Sequence, residues 1–374
     1  MKLRASYGTT GNQFLSGYFP YLGGYAAGAN IAGYAGSIIN SATNGKLTWE
    51  TQKDLDLGID YGLFTNRITG SVTWFKRTSD NLLFNLPLAP STGLNGVNAN
   101  IGKVENHGVE IDITSQNIRG REFQWTTSIN LSHIKNKILT LPQASVAGSG
   151  FSNLIVGESL YNFYLRQWAG VDPADGRPLW YMDKTDANGK VYKDTTHTYA
   201  SATRYYNGSS LPDWTGGMTN TFRYKGFDLN VLIAFSIGGN IYDADYAGLM
   251  YASVGNQPGQ NWSADILQRW QKPGDITNVP KLTTTTDYSA TTSSTRFLFD
   301  ATYARVRNIT LGYSLSKAIM SRAHLNNARV FIDWQNPFTF FGRKGLDPEA
   351  GLSAITSNTS SVYRTMSVGL NFDF

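Results

Sequence analysis

The last fourteen residues, Ser361 to Phe374, constrain the fold more than any other stretch. Val362, Arg364, Met366, Val368, Leu370, Phe372 and Phe374 form one alternate set. Tyr363, Thr365, Ser367, Gly369, Asn371 and Asp373 form the other. The first set is apolar apart from Arg364, and the second is mostly polar or small. Period two with one greasy and one wet face predicts a strand. A soluble sandwich also has two-faced strands, but its chain seldom stops on an exposed Phe. A transmembrane barrel requires the pattern, apolar toward lipid and polar toward the lumen.

Earlier segments repeat it. Leu3, Ala5 and Tyr7 alternate with Lys2, Arg4, Ser6 and Gly8. Leu55, Leu57, Ile59, Tyr61 and Leu63 oppose Asp54, Asp56, Gly58, Asp60 and Gly62, and aspartates on one face belong toward water rather than lipid. Val109, Ile111 and Ile113 oppose Glu110, Asp112 and Thr114; Phe227 to Ile237 carries an unbroken apolar face. Short turns at Phe64-Thr65-Asn66, Asn117 to Arg121 and Lys225-Gly226 alternate with long connections, among them Ser79 to Ala99 and Asn240 to Ser294. Leu160 to Val171 and Arg177 to Asp183 also read as strands, which brings the expected total to about twelve. A propeller would show a repeat of about 40–50 residues, and none is visible.

Composition agrees. Charged residues are 16% of the 374, against roughly 25% in an ordinary soluble domain. Aromatics reach 13%, with 21 Tyr, 19 Phe and 9 Trp. No run approaches the ~18 apolar residues of a membrane-spanning helix. With no Cys, thiolate metal sites, disulfides and thiol nucleophiles are excluded together. The formal charge of +5 is spread along the chain, which argues against a nucleic-acid partner. The start, Met1 to Tyr7, lacks the apolar core of a signal peptide.

Candidate sites are few. His107, His133, His197 and His324 lack metal-ligand spacing. Asp172, Asp175, Asp183 and Asp186 miss the spacing of a calcium loop and read as turn formers. Asp54, Asp56, Asp60, Glu110 and Asp112 invite comparison with a glycosidase carboxylate pair, but on alternating strands they read as lumen lining. Gly36, Gly238 and Gly239 stand in no phosphate-loop context, and no nucleophile elbow is present. No cofactor, metal or catalytic set is expected. Tyr18, Tyr21, Tyr25, Trp262 and Trp270 lie in long connections and are the candidate contacts for substrate or a lid. Trp74, Trp125, Trp334 and Tyr313, on apolar faces, are girdle candidates.

Several strings resemble one family. They are Lys2-Leu3-Arg4-Ala5-Ser6-Tyr7-Gly8 with Gly11-Asn12-Gln13; Leu47-Thr48-Trp49-Glu50; Asn100 to Glu110; and Ala169-Gly170-Val171-Asp172-Pro173. Tyr224 to Leu229, Arg269-Trp270 with Pro273-Gly274-Asp275, Tyr303 to Tyr313, Gln335 to Thr339 and Gly345 to Glu349 follow in order. Together they resemble the C-terminal barrel half of SusC/RagA-type TonB-linked outer-membrane proteins of Bacteroidetes. The resemblance implies a plugged barrel of about 22 strands, of which residues 1–374 would be a partial barrel, with signal peptide, TonB box and plug upstream. It implies import of oligosaccharides or peptides across the outer membrane, a SusD-like surface lipoprotein as lid, energy from the TonB complex through the missing N-terminal region, and no catalysis. Two other classes compete: a secreted or surface glycan-binding or glycan-cleaving β-protein, and a complete small outer-membrane porin.

Overall fold

The computed structural model describes residues 1–374 apart from 13–18, 20, 95, 149, 254–258, 260, 285–286, 323–324, 357–359 and 374. Tyr18, His324 and Phe374 therefore lie outside the described residues. Ten long strands form the main sheet: β1 Lys2–Asn12, β2 Glu50–Leu63, β3 Ile68–Pro87, β4 Gly96–Arg119, β5 Phe123–Thr140, β6 Trp214–Tyr224, β7 Phe227–Ile237, β8 Tyr303–Ser314, β9 Asn327–Phe341 and β10 Thr365–Asp373. They pair in chain order, with β1 and β10 as the edge strands. The ladders β1–β2, β2–β3, β6–β7, β7–β8, β8–β9 and β9–β10 are antiparallel.

Ten strands, rather than twelve, make up this sheet among the described residues. Within Leu160 to Val171 the strands are Asn162–Arg166 and Trp168–Val171, and the next is Pro178–Thr185; all belong to small separate sheets. Phe163, Leu165 and Trp180 are buried there, at 2%, 1% and 0% exposure. Alternation marks one buried face equally well when that face meets a protein core. The closing strand is also shorter than expected. It begins at Thr365, and before it the Val362 N–H donates to Asp347 Oδ2 at 3.0 Å. Conversely, β3 and β4 reach well into the expected Ser79 to Ala99 connection. Beyond the membrane both strand faces meet water, so the ladder continues without apolar alternation.

The chain divides into two compact units. Unit 1 comprises Met1–Thr114, Ser132–Ala147 and Leu154–Leu160. Its β2–β3 turn is tight, with Phe64, Thr65 and Asn66 all in the left-handed region. Between β1 and β2 rises a separate hairpin, Gly24–Ile31 against Tyr34–Ser41. Its stem is closed by Gly23 N–H to Thr43 Oγ1, 3.1 Å, and Asn44 N–H to the Tyr21 carbonyl, 3.0 Å.

Unit 2 comprises Ser115–Leu131, Gly148–Asn153 and Tyr161–Phe374. Its long connections carry a hydrophobic core of their own, built on Phe163, Leu165, Ile241, Tyr242, Met250 and Phe297. A short helix, Ala244–Leu249, starts at Asp243, whose carboxylate accepts the Tyr246 N–H at 2.9 Å. The β7–β8 and β8–β9 ladders shift register at the same place. Leu232 faces Asn308 while Ile233 faces Val306, and Val306 faces Phe338 while Asn308 faces Gln335. Against β7, Arg307 is thus the extra residue on β8, and its insertion reverses the alternation; against β8, the extra residue is on β9, between Gln335 and Phe338. Arg305, which shares the parity of Ile309 and Leu311 in sequence, is turned to the opposite face. Pro337, which has no N–H to give, sits at the same irregularity on β9.

Candidate functional site

The wall has two chemically opposite faces. In unit 2 the register lines up Phe227, Tyr313, Val330 and Leu370 in one row, and Leu229, Leu311, Ile332 and Val368 in the next. A third row is Val231, Ile309, Trp334 and Met366. Many of these side chains are exposed, with Val368 at 69% and Leu370 at 57%. In unit 1 Leu3, Ile59 and Val72 form a row, and Ala5, Leu57 and Trp74 another. Rows of exposed apolar side chains across neighbouring strands form a lipid-facing belt. The girdle candidates Trp74, Trp334 and Tyr313 lie on it, and Trp125 stacks on Phe222 at 5.6 Å.

The other face is polar. Arg4 Nη2 lies 2.8 Å from Asp60 Oδ1, and Ser6 Oγ donates to Asp56 at 3.5 Å. Ser71 Oγ donates to Asp112 at 3.5 Å, and Gln52 to Asp54 at 2.9 Å. Each carboxylate is engaged from its own strand or a neighbour, as a water-facing wall requires. In unit 2 Arg329 grips Asp228 with two bonds of 3.0 and 2.6 Å. A Cβ on Gly312 would fall 2.3 Å from Arg329 Nη2, so glycine at that position opens the path between β9 and β7.

The recognised strings meet in space, and each meeting has a physical reason. In unit 1, Asn100 joins Leu47-Thr48-Trp49-Glu50: its side chain accepts the Thr48 N–H at 2.9 Å and donates to the Thr48 carbonyl at 2.8 Å. Glu50 accepts from Leu83 N–H and Asn12, at 3.0 and 3.1 Å, and the Trp49 ring covers Gly11, where a Cβ would lie 2.9 Å away. In unit 2, Trp270 Nε1 and the Gly274 N–H both donate to the Pro173 carbonyl, at 3.1 and 2.8 Å. The Trp270 ring lies over Gly176, whose left-handed φ of +73° suits glycine. A third junction ties Tyr303 to Tyr313, Gln335 to Thr339 and Gly345 to Glu349. Arg305, 3% exposed, donates to Thr339 Oγ1 at 3.0 Å and Asp347 Oδ1 at 2.8 Å; Arg307 meets Glu349 at 2.6 Å. Burial raises the Asp347 carboxyl pKa, but hydrogen bonds from the Val362 and Glu349 N–H groups and from Arg305 outweigh it and hold it below the usual range.

The family model for the TonB dependent receptor-like β-barrel matches residues 1–328. The chain belongs to that family. It is an outer-membrane β-barrel chain, as the apolar belt already indicated. It is 31% identical to TonB-dependent receptor P3 of Formosa agariphila, over all of this chain and 39% of that protein. It is 28% identical to TonB-dependent receptor SusC of Bacteroides thetaiotaomicron, over all of this chain and 37% of SusC. The solved RagAB peptide transporter superposes on all of it with a TM-score of 0.82 at 25% identity, covering 40% of that chain. The chain thus spans about two fifths of the length of the relatives it matches.

The four candidate contact residues among the described residues fall into different settings. Tyr21 and Tyr25, before and on the Gly24–Ile31 hairpin, are 44% and 73% exposed. Trp262 packs partly buried against the loop core of unit 2, and Trp270 is half-buried in the junction with Pro173. Two loop cavities in unit 2 escaped the sequence reading. One, about 470 Å³, is lined by Tyr303, Arg307, Glu349, Ser210 and Ser236. The other, about 510 Å³, is lined by Asp243, Asp245, Tyr246, Asp265 and Arg343. Arg343 lies 3.8 Å from the Tyr246 ring and 4.0 Å from that of Phe299, and its Nε donates to Asp243 at 2.9 Å. Charge and ring partners so far apart in sequence leave no local spacing to find.

Asp172, Asp175 and His197 come within 4.8 Å of one another. His197 Nδ1 donates to the Pro178 carbonyl at 3.1 Å, and its Nε2 faces Asp172 at 3.2 Å. Asp175 is already held by the Arg177 N–H and Nε, at 2.9 and 2.5 Å. Asp183 and Asp186 are engaged elsewhere, Asp183 by the Tyr205 hydroxyl and Asp186 within its own turn by the Asn188 and Lys190 N–H groups. Asp175 is thus committed to Arg177 within its own turn, and the other two aspartates do not join the trio.

Proposed function

We propose that this chain supplies barrel wall, polar lining and outer loops to a TonB-dependent importer of oligosaccharides or peptides, capped by a SusD-like surface lipoprotein. The observation that carries the reading is the two-faced wall, with apolar rows such as Leu229–Leu311–Ile332–Val368 on one side and Arg4–Asp60 and Arg329–Asp228 on the other. Lipid outside and water inside is what a transport barrel needs, and relatives named as TonB-dependent receptors and a peptide transporter support it. The reading assigns this chain no catalytic step; gating and energy coupling belong to residues outside it. The competing secreted glycan-binding protein has no use for such rows.

Within this reading Tyr21 and Tyr25, exposed beside a hairpin that pairs only with itself, contact the lid. The two loop cavities have the volume of small-ligand sites and offer both charges beside an aromatic ring, which suits a sugar or a peptide residue. The test is uptake. A strain lacking the gene should lose growth on either an oligosaccharide or an oligopeptide source while keeping growth on its monomer, and loss of TonB should have the same effect. Unchanged uptake of both classes in both strains would sink the proposal.

A further inference from the structure

On β2 to β5 the lipid-facing side changes character toward the long loops. The alternate positions that hold Ile59, Leu57 and Leu55 continue back to Lys53. Those holding Val72 and Trp74 run on to Lys76 and Asp80, and those holding Ile111 and Val109 run back to His107, Glu105 and Lys103. On β5, Leu131 lies beside Gly216 and Phe235, on the lipid face, so its alternation carries His133, Lys135 and Lys137 there. The opposite face is occupied by Asn106 bonded to Asn136 at 2.7 Å and by buried Ile138. All the charged residues of this patch lie in unit 1.

The charges are organised. Asp80 holds Lys53 at 3.1 Å and Lys103 at 3.3 Å; Glu105 holds Lys76 at 2.9 Å and His107 at 3.2 Å. The carboxylates are recessed, while Lys53, Lys76 and Lys103 are more open. Lys135 and Lys137 are exposed and have no ion pair among the described residues. Five lysines therefore share this face with two carboxylates. In unit 2 the lipid face ends instead on Ile237, Phe338 and Phe340, all exposed and apolar.

Height fixes what such a patch meets. A strand rising ~3.3 Å per residue at a tilt near 45° gains about 2.3 Å of height per residue, so about eleven residues span a ~25 Å apolar belt. Counted from Ile68 at the short-turn rim, the far edge of the belt falls near Ser79, inside the cluster. Short turns mark the periplasmic rim of such barrels, so this edge belongs to the outer leaflet. Positive charge facing lipid at headgroup level complements anionic headgroups.

We propose that Lys53, Lys76, Lys103, Lys135 and Lys137 form a binding site for the phosphate groups of a phosphorylated lipid in the outer leaflet. Asp80 and Glu105 hold three of the lysines in place, and Lys135 and Lys137 meet phosphate directly. The inference rests on the barrel and its orientation, not on which nutrient is imported.

The test uses the protein as the cell assembles it, extracted in detergent and placed in phosphatidylcholine nanodiscs doped with phosphorylated lipid A or its dephosphorylated form. Lipid retained after washing is measured by native mass spectrometry. The wild type should retain the phosphorylated form about tenfold more tightly. Lys135→Gln with Lys137→Gln, which strands no carboxylate, should reduce that preference several-fold. Adding Lys53→Gln, Lys76→Gln and Lys103→Gln should abolish it, and Lys225→Gln at the short-turn rim should leave it intact. Millimolar inorganic phosphate should not displace the lipid. Equal retention of the two lipids by the wild type, an undiminished preference in the assembled double variant, or complete displacement by inorganic phosphate would each overturn the proposal.

Discussion

Arg305 shows how one side chain ties a loop to the wall. It is almost fully buried, and Asp347 and Glu349 converge on it. Breaking a buried pair by removing one partner costs about 3–5 kcal/mol. Glu349 keeps Arg307 and Asp347 keeps the Val362 N–H, so Arg305→Met should fall at the lower end, about 3 kcal/mol, and should free the segment between β9 and β10. The pH dependence has a definite sign. Asp347 has its folded pKa depressed, so its stabilising contribution is complete above the unfolded carboxylate value of about 3.9 and is lost as pH falls through the lower folded value. The chain has no cysteine, so a nitroxide at Leu352→Cys would report this segment alone. Its mobility should stay flat from neutral pH to about 5 and rise below about 4; in Arg305→Met it should be high already at neutral pH. A spectrum unchanged by both acid and the substitution would remove Arg305 and Asp347 from this role. The strings containing these residues were legible in sequence, but their pairing was not. Arg305 and Asp347 are 42 residues apart, and the bulge that turns Arg305 inward leaves no mark beyond an arginine out of step with Ile309 and Leu311.

At the scale of elements, the wall strands were legible where one face meets lipid and the other water. Lys2 to Gly8, Phe227–Ile237 and the part of Tyr303–Ser314 beyond the Arg307 bulge follow that rule. The rule failed at Asn162–Arg166 and Pro178–Thr185, because period two records that one face is apolar, not whether lipid or protein covers it. The Gly24–Ile31 and Tyr34–Ser41 hairpin failed differently: its Gly and Ala residues carry little alternation, and the sequence showed only a loop. No charged residue occurs from Ala5 to Gly45, so nothing in this hairpin repels a partner of either sign. Since its strands pair only with each other, replacing 25–40 by an Asn-Gly turn between Gly24 and Ser41 should leave wall assembly intact. Folding, read from the heat-dependent shift in electrophoretic mobility, should be unchanged. On the proposed function, copurification of a SusD-like lipoprotein should drop by about tenfold, the equivalent of ~1.4 kcal/mol. A lipoprotein that copurifies at wild-type levels would move the contact away from Tyr25 and the hairpin that carries it.

For the whole molecule, the solvent on each side of the wall decides what each position tolerates. Leu229 and Asn230 are adjacent on β7 yet point to opposite faces: Leu229 pairs with Leu311 in the apolar belt, whereas Asn230 donates to Thr221 Oγ1 on the polar side. A sandwich domain in water would expose the outer of two such faces and accept charge there readily. In a bilayer the order reverses, because an arginine on the lipid face near the midplane costs about 2–4 kcal/mol while lumen substitutions are tolerated. Leu229→Arg should therefore lower the stability of the protein in lipid vesicles by about that amount. Asn230→Arg, beside Asp228 and Arg329 on the watered face, should stay within about 0.5 kcal/mol of wild type, as surface changes usually do. Denaturant-induced release from vesicles, followed by tryptophan fluorescence, measures both. If the two variants unfold at the same denaturant concentration, the outer rows do not face lipid, and both the belt and the phosphate site proposed on unit 1 lose their physical basis.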